Sequence, residues 1–349
     1  MAEPGITLGL KFQSRVLCPQ VAQKDRSQWL VATNCLREEN EVRFVEYDPG
    51  TESVRSPSAY VHRAEVWDLA ACPSRTDRFF TVNNDGGEYH VNLWSTVPGE
   101  QVLNSLSELP DIDASIRRVL WHPKDDGKVA TVEEGKLETW SVAEDSVKSS
   151  GSAPAGELQQ LWSGSWCAED TNTLCTAGGN GFQIWDLRAM QQTKEVDNAH
   201  EMPVRDVDFA GQQQGQLATC GDDCAIRIWD LRQMKEPTQL SKLNGHSHWV
   251  WKCRFNPHHN QLLLSSSSDS LVLLWSTKSA GTAPEGSPKG TSPRCAVIDD
   301  KAHTYDDHED SVYGLAWSCV EPFVFASVSY DGRVVVNKVP SAVKYEILI

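Results

Sequence analysis

Three histidines, His200, His246 and His308, are each followed by the same residue types at the same distances. A hydroxyl residue comes 19 positions later (Thr219, Ser265, Ser327), an aspartate 23 later (Asp223, Asp269, Asp331), and Trp229, Trp275 or Asn337 29 later. A register kept through three copies calls for one supersecondary unit, repeated so that each copy buries its apolar faces against its neighbours.

The stretches between the markers share a grammar. A short β-rich run ("WVWKCRF", "PVRDVDF", "SVYGLAW") leads through a turn to a second ("LLLSS", "QLATC", "FVFAS"). A tight Asp-containing turn then leads to a third ("LVLLW", "AIRIW", "RVVVN"). Short β-branched and apolar runs punctuated by Asp, Gly, Asn and Pro predict hairpins, so the fold class is all-β. The chain resembles the WD40 repeat superfamily at "IWDLR" (184–188 and 228–232), "GH" (245–246) and "SYDGRVVVN" (329–337). The resemblance implies a single-domain β-propeller of four-stranded blades.

Weaker copies fill the remaining chain. His62 leads a unit that ends on Trp94. Trp140 closes another, with Glu134 at the turn position, and Trp185 a third, with Gly179 there. The N-terminal "TLGLKF", "QWLVATNC" and "EVRFVEYD" supply one more. Seven blades follow, at about 1–60, 61–110, 111–155, 156–198, 199–243, 244–306 and 307–349. Trp67-Asp68 is a decoy, since it falls in a first strand instead of closing a third. Residues 141–158 and 276–307, rich in Ser, Gly, Pro, Thr and Ala, are expected as disordered surface loops. Whether the N-terminal strand pairs into the last blade, or "KYEILI" completes that blade by itself, stays open.

The repeat also explains a stretch that first suggests a reactive centre, "GHSHWVWKCRFNPHHNQ" (245–261). His246 is phased with Ser265, Asp269 and Trp275, which predicts a buried hydrogen-bond network. His248 lies in the loop entering the blade, and His258 and His259 in its first turn, so the histidines belong to opposite ends of a strand. No CxxC or HExxH spacing accompanies them, and no metal is expected. "CGDDC" (220–224) is absorbed in the same way, because Asp223 is the turn aspartate. Without a GxSxG elbow, Walker loop, or GxGxxG after a strand, no catalytic residue and no cofactor is expected. A net charge of −16 disfavours nucleic acid and anionic lipid as partners. Ten cysteines scattered without a disulfide framework, in a sequence with no readable export signal, membrane span or lipidation box, predict reduced thiols in the cytosol. The propeller is expected to be monomeric.

One position per blade is left unexplained by the fold. After the first buried residue of strand one stand Leu8, Trp67, Arg117, Trp162, Arg205, Trp251 and Tyr313. In WD40 propellers this position faces the mouth of the central channel. Trp, Tyr and Arg there, with Trp249 and His248 beside them, are the residue types of binding hot spots. The plainer alternative is that some of the tryptophans cap the inner core of their blades. The two "WDLR" tetrapeptides carry a separate expectation: in some WD40 proteins W-D-x-R docks an adaptor of cullin-based ubiquitin ligases, here through Arg188 and Arg232.

"GLKFQSR" (9–15), "HSHWVW" (246–251), "HEDSVYGLAWS" (308–318), "SYDGRVVVNKVP" (329–340) and "AVKYEILI" (342–349) resemble the EARP and GARP complex-interacting protein family. "NAHEMPVRDVDF" and "LATCGDDCAIRIWD" match as well, whereas residues 95–160 diverge. The resemblance implies a non-enzymatic scaffold that binds the EARP and GARP vesicle-tethering complexes. It also implies roles in endosomal recycling and retrograde transport to the trans-Golgi network, with peripheral localisation there through the partners.

Overall fold

The computed structural model describes residues 4–348 except 98, 113–114, 157, 159, 212–214, 233–236 and 278–298. Seven four-stranded antiparallel sheets make a seven-bladed propeller. Six sheets are built from consecutive strands, their innermost strands being Ser14–Pro19, Glu65–Ala71, Ile116–Trp121, Leu161–Trp166, Val204–Phe209 and Val250–Phe255. The seventh takes Val312–Trp317, Val324–Ser329 and Arg333–Lys338, and borrows Ile6–Gly9 as its outermost strand. A short helix, Ser341–Leu348, follows.

Burial explains the strand compositions. The second strand of a blade lies between two neighbouring sheets, so Gln216–Gly221, Leu262–Ser267 and Val324–Ser329 are buried at every residue. The apolar clusters run between blades. Ala218, Ile226 and Ile228 of the fifth meet Val250, Phe255, Leu263 and Trp275 of the sixth. First strands crowd at the axis, where a Cβ on Gly314 would come within 2.5 Å of Val328 and 2.9 Å of Leu17 Cβ. Only glycine fits there.

The structure corrects several sequence expectations. "TLGLKF" does not begin the first blade. Ile6 pairs with Val336 and Gly9 with Arg333, so this strand closes the ring, and the C-terminal residues up to Leu348 are helical instead. Leu8 accordingly packs in the core between the last and first blades. A Cβ on Gly5 would meet Val335 at 2.4 Å, and its N–H donates to Asp307 at 3.0 Å.

Residues 141–158 are not a disordered loop. They contain the end of strand Lys136–Ala143 and all of Ser146–Pro154, the outermost strand of the third blade. An outermost strand pairs through its backbone and buries little, so Ser and Gly serve as well as Val. Its serines bond inward, Ser149 to Glu138 at 2.7 Å and Ser150 to Thr139 at 3.0 Å. The 276–307 expectation was likewise too long, because Asp300–Tyr305 is the outermost strand of the sixth blade. Residues 278–298 of that stretch, with Cys295, lie outside the described residues.

Candidate functional site

Each innermost strand carries one irregularity, and it falls at the same place in all seven. Pairing skips from Ser14 to Val16, Val66 to Asp68, Ile116 to Arg118, Leu161 to Ser163, Val204 to Asp206, Val250 to Lys252 and Val312 to Gly314. A β-bulge leaves its extra residue unpaired and re-aims the side chain. The bulged residues are Arg15, Trp67, Arg117, Trp162, Arg205, Trp251 and Tyr313. Six of these were singled out in the sequence, and Arg15 replaces Leu8. Arg15 was missed because buried Ser14 stands where the other blades have Val, Ile or Leu, its hydroxyl donating to Ala32 O at 2.6 Å.

The seven side chains form a half-buried ring around a central cavity of about 570 Å³. The ring stacks on itself. The Arg15 guanidinium lies 5.3 Å from the Trp67 ring and 4.6 Å from Tyr313. Arg117 and Arg205 sandwich Trp162 at 4.4 and 4.3 Å, and Arg205 lies 5.4 Å from Trp251. Trp251 and Tyr313 are 5.0 Å apart. These contacts suit cations on aromatic faces. Trp249, 39% exposed, stands edge-on to Trp251 at 6.0 Å with His248 beside it. Tyr330, 36% exposed, and Tyr89, neither singled out in the sequence, extend the surface at Tyr313 and Trp67.

Below the ring, carboxylates join neighbouring first strands. Asp68 accepts the Val119 N–H at 2.9 Å and Arg118 Nε at 3.0 Å. Asp206, fully buried, accepts Ser163 Oγ at 2.6 Å, the Cys253 N–H at 3.2 Å and the Arg254 guanidinium. Burial alone would raise its pKa, but Arg254, Lys252 and Arg118 override this and hold it at about 2. Asp208, bonded to the Phe255 N–H at 2.9 Å, goes the other way. Burial pushes it up to about 6, only partly offset by Arg254.

The histidine networks are a separate system. His200 Nδ1 lies 2.8 Å from Asp223 and Nε2 2.8 Å from Thr219, whose hydroxyl accepts Trp229 Nε1 at 2.9 Å. His246 repeats this with Asp269 at 3.0 Å, Ser265 at 2.7 Å and Trp275 to Ser265 at 2.8 Å. His308 meets Asp331 at 3.3 Å and Ser327 at 2.8 Å. Asn337 departs from the expectation: its amide reaches Asp307 at 2.8 Å, because it is too short to span to Ser327 as a tryptophan does. In the complete sets every donor has an acceptor if the imidazole is neutral, and burial lowers the pKa of His62, His200 and His308 accordingly. The degenerate blades keep part of the chain, with Trp94, Trp140 and Trp185 donating to Thr81, Thr131 and Thr176 at 2.8, 2.9 and 2.8 Å.

Other singled-out residues have structural places. Arg188 and Arg232 fold back in two-pronged contacts on their own Asp186 and Asp230, with 68% and 30% of their side chains exposed. Asp230 pairs with Gln216, the end of the blade opposite the ring. The backbone N–H groups of His258 and His259 donate to Asn256 Oδ1, and His259 stacks on Phe323 at 5.0 Å. Among the described residues no three His, Cys, Asp or Glu converge to hold a metal ion, and no helix is long and apolar enough to cross a membrane.

Seven bulged blades, WD-type networks in the later ones and an aromatic, arginine-bearing channel mouth define a WD40 β-propeller. A family model described as EIPR1 beta-propeller matches residues 2–275, and one for the WD domain, G-beta repeat matches 300–336. The chain is 34% identical over 386 residues to EARP and GARP complex-interacting protein 1 of Rattus norvegicus, covering 99% of this chain and 98% of the relative. The Homo sapiens protein of that name is 33% identical over 387 residues, with the same coverage. WD repeat-containing protein DWA2 of Arabidopsis thaliana is 36% identical over 346 residues, 96% of each chain. The chain belongs to the EIPR1 β-propeller family.

Proposed function

We propose that this chain is a non-enzymatic scaffold that binds the EARP and GARP tethering complexes through the channel-mouth ring. It acts in endosomal recycling and endosome-to-trans-Golgi transport, and reaches those membranes through its partners. The observation that carries the docking surface is the set of seven bulges. All seven positions carry an aromatic ring or a guanidinium, and although Trp67 also packs on the core beneath it, together with Trp249 and Tyr330 they make a continuous aromatic and cationic surface. The partner identity rests on the names and near-complete coverage of the relatives.

The test is capture of purified EARP and GARP complexes by the wild-type chain and by the double variant Trp67→Ala, Trp251→Ala, after circular dichroism shows an intact propeller. Loss of capture supports the ring; unchanged capture moves docking to the outer strands or the opposite face. Arg188→Ala with Arg232→Ala serves as the opposite-face control. It should leave tether capture unchanged, and a cullin adaptor lost from a cell purification of that variant would favour the ligase-receptor reading.

A further inference from the structure

We propose that the channel mouth receives a carboxylate-bearing segment of a protein partner, with the carboxylate seated on Arg15 at the junction of the first three blades. This rests on the docking reading above and specifies the chemistry that reading would recognise.

The three ring arginines are not equivalent. Arg205 is gripped by Asp222 in a two-pronged pair at 2.7 and 2.6 Å, and Arg117 has Glu134 at 3.4 Å. Arg15 has no carboxylate in ion-pair range among the described residues. Its guanidinium is surrounded by the faces of Trp67, Tyr313 and Tyr330 at 5.3, 4.6 and 5.0 Å. Aromatic faces orient a cation without satisfying its N–H groups.

Unused donors gather in the same sector. Arg15 Nε, Trp67 Nε1 and Arg117 Nε are all buried from solvent without an acceptor. They come from consecutive blades and line the same cavity. Each adjacent pair of ring residues makes an aromatic or cation–ring contact except Trp67 and Arg117, among the described residues, and Tyr89 stands beside Trp67 in that sector. Three donors closed to solvent and without acceptors, on side chains that line one cavity and one of them on an uncompensated guanidinium, call for an acceptor that carries negative charge, which these side chains turn to meet. A carboxylate offers two planar oxygens to the guanidinium fork. An apolar group would leave the donors unpaired, and a cation would face three guanidiniums.

The surroundings favour a chain segment over a free ion. Trp249, Trp251, Tyr313 and Tyr330 supply apolar area next to these donors that a small anion does not use. The net charge of −16 repels acidic molecules from the chain as a whole, so a carboxylate has to be held by local contacts at the channel mouth.

The full chain is tested as wild type, Arg15→Ala, Arg15→Lys and Trp251→Ala, each with its melting temperature checked. Each is titrated with purified EARP complex. Tryptophan fluorescence then follows a short polyglutamate peptide, its polyglutamine counterpart and inorganic phosphate. We expect the glutamate peptide to bind in a salt-sensitive way, and Arg15→Ala to weaken both the peptide and the complex by about tenfold or more. Arg15→Lys keeps the charge but loses the fork and should weaken both several-fold; if Arg15→Ala does not fold, this variant decides. Equal binding of the two peptides overturns the proposal, and so does phosphate displacing the glutamate peptide at equal or lower concentration. If Trp251→Ala loses the complex while the Arg15 variants keep both ligands, the docking face stands and the carboxylate assignment falls. If Arg15→Ala loses only the glutamate peptide and no variant affects the complex, the carboxylate site stands and docking of the complex at the ring falls.

Discussion

The histidine networks of the last three blades and the ring at the channel mouth are built from similar groups: imidazole or indole rings, carboxylates and N–H donors. They differ in completion. In the fifth and sixth blades indole, hydroxyl, imidazole and aspartate form a chain in which each polar atom has a partner. At the ring three buried N–H donors have none, and the side chains are half exposed. A satisfied buried network contributes stability and a unique geometry, whereas an unsatisfied one at a cavity rim leaves interaction free energy for a ligand. The first predicts folding phenotypes, the second binding phenotypes.

The largest expected effect breaks the second half of this contrast. Trp67→Ala with Trp251→Ala should lower the affinity of the folded protein for the tethering complex by a hundredfold or so, about 3 kcal/mol, beside a loss of stability from the core packing of Trp67 and the Trp251–Ser268 bond. Titration calorimetry beside a thermal melt checks both halves. Next in size, His246→Ala should cost on the order of 1–3 kcal/mol of stability, since the buried Ser265 hydroxyl loses its acceptor and Asp269 its imidazole donor, while the folded fraction binds normally. Chemical denaturation measures the first and a binding titration the second. Equal loss of affinity would merge the two systems.

A pH series sharpens the comparison inside the channel wall. The native pKa of Asp208, about 6, lies above the roughly 3.9 of an unfolded aspartate, so its contribution to stability is complete below about pH 4 and lost as pH rises through 6. His62, His200 and His308 run oppositely, because burial lowers their pKa. Their contribution is complete above about 6.5 and declines as pH falls. In Asp208→Asn the histidine part cancels against wild type. The stability difference should therefore move in the variant's favour by on the order of 2 kcal/mol between pH 4.5 and 8. A difference flat with pH would show that Asp208 is charged throughout. Smallest is Ser270→Gly. Ser270 follows the turn aspartate with φ of 66°, a left-handed conformation that glycine adopts freely. Relief of strain and greater unfolded-state freedom nearly cancel, so a gain of about 0.5 kcal/mol or less is expected by thermal melt.

The sequence was most legible where geometry forces residue identity. A network of fixed reach demands His, Asp and a hydroxyl at fixed separations, and blades five to seven could be phased from three letters. Channel-mouth positions followed from that phase wherever a buried Val, Ile or Leu preceded them, as at Val204 and Val250. They failed at Ser14, which satisfies the same site by hydrogen bonding instead of apolar contact. Outermost strands were the least legible. Ser146–Pro154 is held by its backbone ladder to Lys136–Ala143, and no side-chain periodicity is needed for that. Closure by Ile6–Gly9 could be named only as one of two options for a different reason: four residues carry too little pattern to declare a partner at the far end of the chain.

That closing strand also sets an order of events during synthesis. Ile6 and Val336 are more than three hundred residues apart, so the first strand leaves the ribosome well before its partner is made. At about 5–20 residues per second it waits for tens of seconds. Until then Arg333–Lys338 does not exist, the first blade has no neighbour on one side, and Trp29, Val31 and Val45 have no seventh blade to cover them. The ring of seven side chains assembles only when this clasp shuts. A truncated or stalled chain would then display neither the finished mouth nor its charge pattern, and on the proposed docking mode a partner would engage completed molecules alone.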